Sequence, residues 1–150
     1  MKYEKMMSSI EDTERLAYQL GTLVEAKDVI TLEGDLGAGK TTFTKSFAKG
    51  LGVVRNVNSP TFTILKQYEG RLPFNHLDVY RLADSEEDLG WDELFYEDAV
   101  SVVEWANLIE QDLPKERLQI DIYQVSEFAR RIVFTPMGTR YEQLCEELFS

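Results

Sequence analysis

Apolar positions change their spacing several times along this chain, and each change marks a predicted element. Leu16, Ala17, Leu20, Leu23 and Val24 fall three and four residues apart. That is the period of one helical face, and it predicts a helix over about residues 10–25. Ser9 suits the N-cap, and Glu11 and Asp12 follow where acids favour the positive end of the helix dipole. Ala26-Lys27-Asp28 then turns the chain into Val29-Ile30-Thr31-Leu32, a short β-branched run that reads as a strand. Phe43, Phe47 and Leu51 recur every four residues and predict a second helix, stopped by Gly50 and Gly52.

The middle of the chain switches to strand patterns. Pro60 holds Ser59 extended, so Ser59-Pro60-Thr61 reads as a shaped loop. Thr61 to Tyr68 and Leu72 to Arg81 are predicted as strands around the turn Glu69-Gly70-Arg71. On the second strand Leu77 and Val79 share one face, and His76, Asp78 and Tyr80 share the other. The acidic segment Ala83 to Asp88, with Ser85 as N-cap, predicts a short helix; after Gly90 another runs through Trp91 to Phe95. Ala99-Val100-Ser101-Val102-Val103 is a buried-strand run that ends in Glu104-Trp105. Leu118 to Val125 and Arg131 to Thr135 alternate around Ser126-Glu127-Phe128-Ala129 and predict a late hairpin. Tyr141, Leu144, Cys145 and Leu148 form the inner stripe of a C-terminal helix, with Cys145 as a small core residue.

These elements predict one α/β domain over residues 1–150. Its central mixed sheet is mainly parallel, carries antiparallel hairpins at its margins, and is covered by helices in a three-layer arrangement. Composition narrows the function classes. No apolar run approaches the roughly 20 residues that span a bilayer. The start Met1-Lys2-Tyr3-Glu4-Lys5 leads into no apolar signal core, so the expected location is the cytoplasm, with no membrane partner. The single cysteine excludes an internal disulfide and a Cys-rich metal site. A net charge of −11, with basic residues scattered, disfavours independent binding to DNA or RNA.

The candidate chemistry lies between the first strand and the second helix. Gly34, Gly39, Lys40 and Thr41 match the pattern G-x-x-x-x-G-K-[ST] without a mismatch. Glycines let backbone N–H groups curl around a phosphate. Asp35, Leu36, Gly37, Ala38, Gly39, Lys40, Thr41 and Thr42 are thus candidate nucleotide contacts. Lys40 suits the β- and γ-phosphates, and the Thr41 hydroxyl suits Mg²⁺. Strand before and helix after complete the context of a P-loop, and the predicted ligand is a nucleoside triphosphate.

Hydrolysis of that ligand also needs an acid near the metal and a group to orient water. Glu104, at the carboxyl end of its strand, is the candidate Walker B-type acid, although Asp is usual there; the alternative is a Glu that merely ends a strand. Asp78 is read either as a second acid near magnesium or as half of a structural ion pair. His76 reads as a strand histidine in preference to a catalyst. Thr61 stands where a switch hydroxyl belongs.

With these segments assembled, the chain resembles the TsaE (YjeE) family, the P-loop ATPases of tRNA threonylcarbamoyladenosine formation. The resemblance rests on Gly34 to Thr42, Asn58-Ser59-Pro60-Thr61-Phe62-Thr63, His76 to Asp84, and Val102-Val103-Glu104-Trp105, in the family's order. It implies that Ser59 to Thr61 and His76 to Asp84 are switch segments. It implies further that Thr41, Asp78 and Glu104 surround Mg²⁺, that Lys40, Glu104, Asp78 and Thr61 are catalytic, and that Trp105 is a reporter. Ser9 to Thr13, with Ser9 and Thr13 as contacts, resemble the helix start bordering the adenine. The implied activity is an ATPase that is weak alone and coupled to TsaD and TsaB, meeting tRNA only through that complex. Two other readings share the loop: a small-molecule or nucleotide kinase, disfavoured by the lack of an Arg-rich lid, and a nucleotide-binding regulator without turnover.

Overall fold

The computed structural model describes residues 2–34, 38–54, 65–78 and 91–150. Seven strands form one sheet: β1 (Tyr3–Met7), β2 (Val29–Glu33), β3 (Leu65–Glu69), β4 (Pro73–Asp78), β5 (Val100–Glu104), β6 (Arg117–Gln124) and β7 (Arg130–Met137). They lie in the order β1-β7-β6-β2-β5-β4-β3. The inner four, β6-β2-β5-β4, are parallel to one another. The hairpins β3–β4 and β6–β7 and the strand β1 are antiparallel and occupy the margins. The expected mixed sheet with marginal hairpins is therefore present.

Two hydrophobic clusters, one on each side of the sheet, follow from strand alternation. Ile30 and Leu32 of β2, Val102 of β5 and Ile120 of β6 pack with the helices α1 (Ile10–Leu23), α2 (Lys40–Gly50) and α4 (Thr139–Leu148). Val29, Leu77 and Val103 face the other way, against Leu94 and Phe95 of the short helix α3 (Trp91–Phe95) and against Ala106 and Leu113 at a 3-10 helix (Ala106–Asp112). Three layers result.

The helix expectations hold closely. Ser9 caps α1, its hydroxyl accepting from the Asp12 amide at 3.1 Å. Leu16, Ala17 and Leu20 are buried as the period required. Tyr141, Leu144, Cys145 and Leu148 are likewise buried on α4. Burial pushes the Cys145 thiol up to about 11, so it stays protonated as a core residue.

Close approach of α1 to α2 depends on two glycines. A Cβ on Gly21 would lie 2.1 Å from the Phe47 carbonyl, and one on Gly50 would lie 2.1 Å from the Tyr18 carbonyl. This contact fixes the axis of α2 and so the direction in which its N-terminus points. Arg71, in the β3–β4 turn, donates to the Gly21 and Val24 carbonyls at 3.1 and 2.9 Å, closing the end of α1 and anchoring the hairpin that carries β4.

Some expectations shift. β1 falls in a segment where no strand was predicted; it is an exposed edge strand held by its ladder to β7 and by Tyr3 stacked on Phe149 at 5.3 Å. β4 is described from Pro73 to Asp78, and residues 79–81 of the predicted Leu72 to Arg81 strand lie outside the described residues. The loop Ser59-Pro60-Thr61, the first half of the Thr61 to Tyr68 strand and the helix at Ser85 lie outside the described residues.

Candidate functional site

Because β2, β5 and β4 are parallel neighbours, their carboxyl ends reach one edge of the sheet, where α2 begins. A cleft of about 410 Å³ opens there. Gly39, Lys40, Thr41 and Thr42 line it from the start of α2, Asp78 and Glu104 from the strand ends, and Thr13 from α1. With Trp105, which also lines it, eight of the residues singled out in the sequence share one cleft. Ser9 is engaged as the α1 cap, and Ala38 is buried with its carbonyl accepting from Arg130. Asp35, Leu36, Gly37 and Thr61 lie outside the described residues.

The glycine spacing has local causes. Gly39 sits at φ 108° as the N-cap of α2, a left-handed conformation that favours glycine. A Cβ on Gly34 would stand 2.8 Å from the Ile122 carbonyl, so the loop leaves β2 pressed against β6. Lys40 is buried, and its ammonium has two partners: it donates to the Gly34 carbonyl, and it lies 4.0 Å from the centroid of the Trp105 ring. Trp105 reaches that position because its own backbone is left-handed (φ 60°) where β5 gives way to the 3-10 helix. A cation over an indole face is favourable by about 0.5–2 kcal/mol.

This contact ties the surroundings of the Trp105 ring to the position of the Lys40 ammonium. Phosphate binding is expected to draw the ammonium off the ring and change indole emission. The measurement uses Mg²⁺ and nucleotide in a Trp91→Phe background, which removes the second tryptophan. Emission unmoved by saturating nucleotide would separate Trp105 from the site.

The two acids are cross-strand partners, Asp78 on β4 opposite Glu104 on β5. Alternation along both strands puts them on the α2 side of the sheet, with Phe74 and Val100. Glu104 is 3% exposed, and its Oε2 lies 2.6 Å from His76 Nε2. Toward an ionised carboxylate the ring nitrogen donates and the carboxylate oxygen accepts. Among the described residues Nδ1 is buried without a partner. His76 stacks on Phe74 with the rings 8° from parallel and 6.1 Å apart, so the imidazole is fixed from two directions. It acts on the site through Glu104, a link between strand neighbours that neither residue type nor spacing indicated.

Ile10 also lines the cleft, within the Ser9 to Thr13 segment already named, and two further lining residues were not predicted: Phe128 and Arg130. Ile10 begins α1, Phe128 lies in the β6–β7 turn, and Arg130 begins β7. An aromatic in a four-residue turn of otherwise small or polar residues was the available signal, since turns favour Gly, Asn, Asp, Ser and Pro.

Known proteins match the chain over most of its length. A family model described as "Threonylcarbamoyl adenosine biosynthesis protein TsaE" matches residues 7–132. The tRNA threonylcarbamoyladenosine biosynthesis protein TsaE of Bacillus subtilis (strain 168) is 58% identical over 139 residues, covering 92% of this chain and 88% of that protein. The protein of the same name from Treponema pallidum (strain Nichols) is 41% identical over 126 residues, covering 83% and 93%. The crystal structure of Bacillus subtilis YdiB superposes with a TM-score of 0.87 at 48% identity, covering 99% of this chain and 95% of that one.

Proposed function

The chain belongs to the TsaE family of threonylcarbamoyladenosine biosynthesis proteins, and from that premise we propose that it binds and hydrolyses ATP in the service of that tRNA modification. The observation that carries the reading is the convergence of Gly39, Lys40, Thr41, Asp78 and Glu104 on one cleft at the carboxyl edge of parallel strands. Ligands of open α/β sheets bind at that edge.

Each residue has a role that follows from its position. The N-terminus of α2 and the loop amides receive the phosphates. Lys40 exchanges the Gly34 carbonyl and the Trp105 face for phosphate oxygens. The donor set also suits magnesium. Among the described residues no three His, Cys, Asp or Glu side chains are clustered to cage a metal. Mg²⁺ does not require such a cage: it takes one or two carboxylates, keeps several waters and uses substrate phosphates. Thr41, Asp78 and Glu104 would hold it, and when bound it supplies charge neutralisation at the triphosphate. Glu104, with one oxygen held by His76, keeps the other to order a water. TsaD and TsaB are the proposed partners, with tRNA reached through them.

Lys40→Ala tests the binding half. Loss of a charge-assisted contact of about 1.5–3 kcal/mol corresponds to roughly 10- to 100-fold in Kd. Calorimetric titration with ATP and Mg²⁺ reads it, and unchanged affinity would overturn the phosphate-loop assignment. No helix among the described residues is long and apolar enough to cross a membrane.

A further inference from the structure

A loop that receives phosphate turns its amides toward the anion. The carbonyls of the same peptides then point away, and they need partners of their own when buried. Ala38 is such a case: it is 2% exposed, its peptide to Gly39 is trans, and its carbonyl accepts from Arg130 Nε at 2.7 Å. In a trans peptide the carbonyl and the following N–H point in opposite directions. The bond from Arg130 therefore sets where the amide of Gly39, the N-cap of α2, is aimed.

Arg130 is itself held. Its Nη1 donates to the carbonyls of Ser126, Glu127 and Ala129 at 2.9, 3.2 and 2.9 Å. The turn that supplies these acceptors closes on itself: the Val125 amide donates to the Ala129 carbonyl at 3.0 Å, and the Ala129 amide to Ser126 Oγ at 3.2 Å. A planar guanidinium engaged through two of its nitrogens has little freedom to rotate. Holding the turn is the simplest role for such an arginine, and Nη1 alone performs it. The bond from Nε to Ala38, between positions 92 residues apart, adds nothing to the turn and acts on the loop.

We infer that Arg130 is a positioning residue for phosphate binding, which presets the Ala38–Gly39 peptide so that the Gly39 amide faces the cleft before any ligand arrives. The inference rests on the nucleotide reading above and goes beyond it, because the phosphate-loop motif contains no residue of β7. Without the bond to Ala38, that peptide has to be ordered at the moment of binding, and ordering one residue's backbone opposes association.

The test reads phosphate affinity and loop conformation separately. ATP and inorganic tripolyphosphate, each with Mg²⁺, are titrated calorimetrically against the full chain, Arg130→Met and Arg130→Lys. Arg130→Met is expected to weaken both ligands by the same factor, about 5- to 30-fold, the ordering cost of one residue. Arg130→Lys keeps the charge but not the planar fork, and it is expected to lose nearly as much. The second readout needs no ligand. In the amide spectrum of the chain with isotope-labelled glycines, Arg130→Met is expected to move the Gly39 signal and to leave those of Gly21 and Gly50, at the α1–α2 contact, in place. A Gly39 signal that stays put overturns the inference, and so does one that moves only together with Gly21 and Gly50. Unchanged affinity in Arg130→Met overturns it as well. Full affinity in Arg130→Lys would make charge the cause, and a loss confined to ATP would move the role off the phosphates; either result also overturns it. An unmodified chain that binds neither ligand overturns the nucleotide reading itself, and the inference with it.

Discussion

Glu104→Gln is expected to bind ATP nearly as tightly as the unmodified chain and to hydrolyse it about 10²–10³-fold more slowly, the usual cost of removing one group that acts on transition-state charge. The difference between the two effects comes from where the carboxylate sits. It lies at the end of β5, between Leu32 of β2 and Asp78 of β4, and its proposed role is toward metal and water, so the contacts of the loop amides and Lys40 with phosphate do not depend on it. Glutamine keeps the volume and one acceptor for His76 while losing the charge that orders water beside a metal. Single-turnover hydrolysis and calorimetry on the same preparation read the two quantities. Undiminished hydrolysis would transfer the role to Asp78. A chain that never hydrolyses, yet binds partners in a nucleotide-dependent way with or without Glu104, would be a regulator.

How far this site was legible in the sequence depends on the range of the interactions. Periodicity located α1, α2, α4, β2 and β5, because each buries one face or a continuous run. The glycines at the two ends of the β2–α2 loop were legible for a different reason: local backbone geometry favours them, as Gly39 at φ 108° illustrates. The edge strand β1 was not legible. Its three central residues are exposed, so no alternation marks it, and only the ladder to β7 makes it a strand. The contacts that complete the cleft were equally hidden. Lys40 over Trp105, His76 on Glu104 and Arg130 on Ala38 join residues far apart in sequence, and their partners are set by strand order. Within β4, alternation did place His76 and Asp78 on one face, and the parallel register to β5 then brought Glu104 to both.

The lone chain is expected to be a slow ATPase that TsaD and TsaB accelerate by at least about tenfold, and that does not hold tRNA by itself. Among the described residues Arg130 is the one arginine that lines the cleft, and its Nε and Nη1 donate to four backbone carbonyls. An arginine so engaged holds backbone in place and is poorly disposed to stabilise a transferring phosphoryl group. Two further arginines, Arg55 and Arg81, lie outside the described residues. In other P-loop enzymes an arginine supplied by a partner is worth about 10³–10⁵ in rate. The charge of −11 opposes a polyanion, whereas a basic surface on a partner protein would be steered toward it. Steady-state hydrolysis is measured for the chain alone, with TsaD and TsaB, and with tRNA added, beside a filter-binding titration of tRNA at physiological salt. Full turnover without partners would mean that Arg55 or Arg81 completes the site in cis. Tight tRNA binding by the lone chain would mean that charge is not what governs its contacts, and either result would remove the argument for a site completed by docking.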